Sequence, residues 1–165
     1  MRGRWAAGIE PRGFTWVFRD QLAVSERPGG STMVHRKVRR DEELIWLRHH
    51  GFGRVISILP DMQSLAAYTD HGLTAAHYAL RGGPRQTEVL SLCYQDLDKC
   101  LETNVTTLLH SDEVSDRLLG VLAGYLLWSE RVTAVPTAVA AVERLFHRSL
   151  GPDGRTLLTD LPLKS

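Results

Sequence analysis

An α/β layered domain, with a central, mainly parallel sheet flanked by helices, is what this sequence predicts, and three observations predict it. The 165 residues are 43% hydrophobic and 24% charged, the composition of a globular chain with room for one core. Short β-branched runs alternate with longer runs of helical period along most of the length. One segment, Leu118 to Trp128, is apolar nearly all round, as a helix buried on every side would be.

The elements follow in order. Residues 1–12 are left as an N-terminal arm before a single domain. Phe14 to Val17 and Leu22 to Val24 are apolar runs separated by Arg19-Asp20-Gln21, and they read as two edge strands or a hairpin. Arg27-Pro28-Gly29-Gly30-Ser31 is a loop by its turn residues. Asp41 is expected to open a helix. Its carboxylate can cap the first turn, Glu42 and Glu43 suit the positive end, Leu44, Ile45 and Leu47 form the apolar stripe, and Gly51 closes it. Arg54 to Leu59 is a buried strand stopped by Pro60. Met62 to Asp70 is a short helix closed by Gly72, and Leu73 to Leu80 is the next strand, broken by Gly82-Gly83-Pro84.

Gln86 to Thr103 has Val89, Leu90, Cys93, Leu97, Cys100 and Leu101 on one helical face. Val105 to Leu109 is a further buried strand, followed by the apolar helix at Leu118. Pro136 fits the first turn of a last helix reaching about Ser149, where Gly151-Pro152 stops it and leaves 153–165 as a tail. In such folds ligands bind beyond the carboxyl ends of the strands, so the loop after Val105–Leu109 is the place to look.

Composition narrows the function classes. No run reaches the ~18 apolar residues of a membrane span, and the basic N-terminus is followed by no apolar region of a secretory signal. Cys93 and Cys100 form neither a disulfide framework nor a metal-ligand pattern, so a reduced, cytoplasmic protein without metal or cofactor is expected. An excess of 17 Arg over 3 Lys fits a GC-rich bacterial genome. The net charge of +1 conceals a skew: residues 1–40 carry nine basic side chains against three acidic, and the remainder balances at −5.

The loop reads His110-Ser111-Asp112-Glu113-Val114-Ser115-Asp116-Arg117. A strand, a His, a residue of nucleophile size, five residues, then an Arg opening an apolar helix: this arrangement resembles the phosphate-binding loop of the cysteine-based protein tyrosine phosphatases. That pattern is His-Cys, five residues, Arg, with a glycine in the middle. The order of elements across most of the chain resembles the small dual-specificity type. The resemblance implies a thiolate nucleophile at position 111, activated by the helix N-terminus and surrounding amides. It further implies loop N–H groups that converge on phosphate, and Arg117 binding two of its oxygens. His110 would shape the loop, and an upstream aspartic acid would protonate the leaving oxygen.

The chain departs from that pattern at several positions. Ser111 replaces the cysteine, and its hydroxyl is protonated at neutral pH with no obvious base beside it. Val114 stands where the glycine belongs, so strain of about 1–3 kcal/mol or a reshaped loop is expected. Asp112 and Glu113 place carboxylates where a dianion would sit; Asp116 is the milder change. The general-acid position falls at Arg81, with no carboxylate between Asp70 and Glu88. Leu118 and Leu119 replace the polar residue and glycine that often follow the arginine. Arg117 is expected to pair with Asp112, Glu113 or Asp116. A laboratory Cys-to-Ser exchange would account for position 111 alone and not for the other departures.

Other groupings carry less. Ser111, His110 and Asp112 have the residue types of a hydrolase triad but lack its elbow. His49-His50 with His35 or His71 matches no metal spacing, Cys93 and Cys100 read as core thiols, and Trp5, Trp16, Trp46 and Trp128 read as packing residues. His35-Arg36-Lys37-Val38-Arg39-Arg40 is a basic stretch before a helix, either a solvated loop answered by Asp41-Glu42-Glu43 or a binding patch at Arg36, Lys37, Arg39 and Arg40. The leading expectation is a pseudophosphatase that binds an unknown protein or phospho-ligand. The alternatives are a weak or trapped phosphatase hydrolysing phosphate monoesters, and a module for an acidic partner or, less favoured, nucleic acid through residues 35–40. No membrane partner is expected.

Overall fold

The computed structural model describes residues 8–61 and 63–164. Trp5, Met62, Arg2, Arg4 and most of the expected 1–12 arm lie outside them. The chain forms two compact units. The first runs to Ala79 and resumes over Cys100–Val114; the second comprises Leu80–Lys99 and Ser115 onward.

The first unit holds every strand of the sheet: β1 (Thr15–Phe18), β2 (Leu22–Ser25), β3 (Arg54–Ser57), β4 (Thr74–His77) and β5 (Thr107–His110). They lie in the order β1-β2-β5-β3-β4. The β1–β2 pair is the expected hairpin and is antiparallel; the other three pairings are parallel. Asp20 takes the left-handed φ of 63° that the tight turn requires, a conformation Asp tolerates better than most residues. β2 and β5 are buried at all four positions, which fits their apolar character on both faces. β3 and β4 are shorter than their apolar runs, and β5 starts two residues later than expected because the Val105 amide is spent on the Cys100 carbonyl, closing the preceding helix.

Helix α1 (Lys37–His49) begins four residues before the expected start at Asp41. Asp41 therefore lies in the second turn and caps nothing; its carboxylate faces Arg40 and His71 instead. The basic first turn is tolerated because Glu43, one turn on, accepts from Arg39 at 2.6 Å and from the Gly29 amide at 2.9 Å while itself almost fully buried. Gly51 ends α1 with a φ of 85°. Leu44 and Leu47 of α1 pack on Ala23, Val55 and Leu108 of the sheet, with Phe14, Trp16, Trp46 and Phe52 completing an aromatic cluster. Helix α2 is only Ala66–Asp70, shorter than the Met62–Asp70 expected. The described end of the arm is docked: the Ile9 amide donates to the Glu42 carbonyl and the Glu26 amide to Arg12.

The second unit is helical. It contains most of α3 (Gln86–Glu102) with α4 (Asp116–Trp128), α5 (Val135–Phe146) and α6 (Pro152–Thr156). Helix α4 is buried from Leu118 through Tyr125, as its apolar circumference requires. The Tyr94 hydroxyl donates to the Val121 carbonyl at 2.9 Å, so this ring enters the core with its polar end satisfied. Helix α5 stops at Phe146, earlier than the expected Ser149, because His147 turns left-handed at φ 55°.

Helix α6 corrects the expected tail. Pro152 does not end structure but starts it, at the first helical position where a missing N–H is harmless. Asp116 accepts from the amides of Gly151 and Gly154 at 2.6 and 2.7 Å, capping α6 from the start of α4. The two helices meet glycine to glycine: a Cβ on Gly120 would stand 2.5 Å from the Gly154 carbonyl oxygen.

Candidate functional site

Parallel pairing lines up the last residues of four strands. Ser25 and Ser57 are both in register with His110, and His77 with Ser57, giving the row Ser25–His110–Ser57–His77 at the carboxyl edge of the sheet. Ser57 Oγ accepts from the Leu59 amide and from the Gln63 side chain. His77 faces the Leu59 carbonyl at 2.7 Å. The loop singled out in the sequence leaves this row at His110.

His110 is completely buried and both ring nitrogens are engaged. Nδ1 lies 3.0 Å from the Ser111 carbonyl oxygen, which can only accept, so Nδ1 carries the proton. Nε2 then accepts from the Tyr68 hydroxyl at 3.3 Å. Burial, aided by the nearby Arg27 cation, pulls the His110 pKa down to about 4, so the ring is neutral at physiological pH. Burial likewise pushes Tyr68 up to about 12, keeping its proton available to His110. His110 is thus held at both nitrogens and cannot accept the Ser111 proton through either one.

Asp112 is held by Thr32. Its carboxylate accepts from the amide and hydroxyl of Thr32 at 2.7 and 2.8 Å, and its carbonyl accepts from the Arg27 amide. The expected strain at Val114 is absent: the residue is not among those with positive φ, so the loop is reshaped rather than strained. Its side chain fills the space over Gly13, where a Cβ would meet Val114 Cγ2 at 2.8 Å. Glu113 is exposed. Arg27, Thr32, Asp61, Gln63 and Asp112 line a small cleft in this unit, with one cation against two carboxylates.

The second unit holds the rest of the loop. Ser115 is the N-cap of α4, its Oγ accepting from the Leu118 amide. Asp116 is committed to α6. Arg117 was expected to find a carboxylate among Asp112, Glu113 and Asp116; the hydrogen bond it makes is to a neutral amide, Gln86 Oε1, at 3.3 Å. It lines an open cleft with Gly82, Gly83, Gln86 and Asp153. Gly82 and Gly83 both have left-handed φ, and Arg81, at the general-acid position, is exposed.

The basic stretch is divided. Arg39 and Arg40 turn back toward Glu43 and Asp41, whereas Arg36 and Lys37 are exposed. His50 stacks on Trp46 with ring centroids 3.8 Å apart, His71 faces Asp41, and His35 packs beside Gly29. Cys93 and Cys100 are buried, as core thiols would be.

Sequence reading missed Arg27, Thr32 and Tyr68. Parallel pairing of β2 with β5 would have placed Arg27, two residues past Ser25, beside the loop; nothing local marks Tyr68 or Thr32, which lie 42 and 80 residues from their partners.

Neither a family model nor a curated protein matches the sequence. Solved structures do match its fold. Kinase associated phosphatase with its catalytic-site cysteine substituted by serine aligns with a TM-score of 0.73 and 20% identity, over 90% of this chain and 92% of that one. Tk-PTP in its active form aligns at 0.67 and 16% identity, over 88% and 93%. Human DUSP28 aligns at 0.66 and 13% identity, over 90% and 93%.

Proposed function

We propose that this chain, which has the fold of the protein tyrosine and dual-specificity phosphatases, is a pseudophosphatase: a protein that keeps the scaffold and acts by binding. One observation carries the reading. The residue at the nucleophile position is a serine whose neighbouring histidine is neutral and engaged at both nitrogens. A serine attacks phosphorus only when a base removes its proton, and His110 is not available as that base. The absence of a carboxylate between Asp70 and Glu88, where the acid is expected, and the Asp112 carboxylate two bonds deep in Thr32 support the same reading. The ligand is a protein or a phosphorylated group on one, and the two buried thiols suit a reducing, cytoplasmic setting.

Arg117 favours a second reading. It is bonded to a neutral amide in an open cleft rather than to a carboxylate, so it stays available to a phosphate monoester. A weak or trapped phosphatase would use it.

Steady-state assay of the wild-type protein and Ser111→Cys on an aryl phosphate separates the two. The pseudophosphatase reading expects no turnover from either. Turnover restored by Ser111→Cys would overturn it and identify a trapped enzyme.

A further inference from the structure

We propose that residues 32–38 form a docking surface for an acidic protein segment bearing apolar side chains. Seven large hydrophobic residues are exposed among the described residues, and three of them fall within six consecutive positions. Met33 and Val34, in a 3-10 turn, are 91% and 58% exposed, and Val38, in the first turn of α1, is 77% exposed. Scattered surface aliphatics need no explanation; a run of them beside unpaired cations does. Arg36 and Lys37 sit inside this run, both exposed, and neither has an ion-pair partner among the described residues.

The charge of the segment fixes the sign of its partner. No acidic residue lies in the first turn of α1, and Arg36 at its N-cap makes no capping bond through its side chain. Basic residues at the positive end of a helix are unfavourable, and an incoming carboxylate reverses that. Glu43 and Asp41 answer Arg39 and Arg40 from within the same helix, so an acidic group arriving at Arg36 and Lys37 displaces no ion pair among the described residues.

The chemistry of the exposed side chains selects among anionic partners. Valine and methionine cannot stack bases as an aromatic platform does, and two free cations cover few phosphates, which disfavours nucleic acid. A membrane-surface helix carries its cations along a continuous polar face with bulky apolar anchors opposite; here Leu44 and Leu47, further along α1, are spent on the core. An acidic peptide with a few large apolar residues satisfies both features together, its carboxylates meeting Arg36 and Lys37 and its apolar groups covering Met33, Val34 and Val38. The surface stands whether or not the loop at 110–117 is catalytically silent.

The test pans the full chain against a random short-peptide library and titrates the enriched peptides against wild type, Met33→Ser/Val38→Ser and Arg36→Glu/Lys37→Glu. All four positions are exposed, and unchanged melting temperatures check that both variants fold. The expected result is enrichment of peptides combining Asp or Glu with large apolar residues, at least about tenfold weaker binding by each variant, and weakening by salt. Peptides without acidic bias, or binding that survives both variants, would overturn the proposal. So would retention on vesicles of equal parts phosphatidylserine and phosphatidylcholine, on single-stranded RNA, or on a second copy of the chain, where the same variants abolish it.

Discussion

The two halves of the loop have been put to different uses. In the first, the side chains of His110 and Asp112 and the carbonyls of Ser111 and Asp112 are tied within their own unit: His110 at both nitrogens, and Asp112 through its carboxylate to Thr32 and its carbonyl to the Arg27 amide. In the second, Ser115 and Asp116 serve the starts of α4 and α6, and only Arg117 is left on a weak, neutral contact. The Asp112 and Asp116 carboxylates each accept from donors within their own unit. These two are structural acceptors, whereas Glu113 is exposed. The Ser111 hydroxyl and Arg117, where the resemblance puts the chemistry, carry no bond to a charged partner among the described residues.

The largest effect that could break this comparison is one of pH. Folded, His110 stays neutral down to about pH 4; unfolded, it takes its proton near its ordinary value of about 6.5. Between those limits the unfolded chain binds more protons. Stability is therefore full above about pH 6.5, falls as the pH drops toward 4, and has lost up to about 3 kcal/mol from this group below that. Urea melts of wild type against His110→Gln across this range check it: the variant lacks that part of the slope. Next comes Asp116→Ala, which strips acceptors from two amides and costs about 2–3 kcal/mol in the same melts. Asp112→Ala, more exposed, costs about 1–2 kcal/mol, and Ser115→Ala about 1 kcal/mol as a lost cap. Smallest are Ser111→Ala and Arg117→Ala, each within about 0.5 kcal/mol of wild type. If either of these two ranked with Asp116, the division of the loop would be wrong.

The order of elements was readable because it rests on local information: β-branched runs, helical period, and glycines at Gly51 and Gly72 that adopt the left-handed caps expected of them. What escaped was nonlocal. Helix α6 looked like a stop because its cap, Asp116, comes from 35 residues upstream of Gly151. Helix α1 looked as though it began at Asp41 because the buried Glu43 that makes a basic start tolerable also serves a distant glycine amide. The carboxylates at 112 and 116 read as an acidified anion site because their partners at 32, 151 and 154 are invisible from within the loop. The identity of each loop residue was legible; the direction in which it pointed was not.

The most direct test of the claim that the loop no longer receives an anion is the acidity of a thiol placed in it. Alkylation of Ser111→Cys by iodoacetamide is followed against pH, with the wild-type protein and its buried Cys93 and Cys100 as background. A loop that still converges its amides on position 111 stabilises a thiolate and pulls the thiol well below neutrality; an ordinary cysteine titrates near about 8.5. The expected result is a titration at or above about 8.5, because the neighbouring His110 is neutral and offers a thiolate no cation. A thiolate already formed at about pH 6 would contradict it and show that the anion cradle survives.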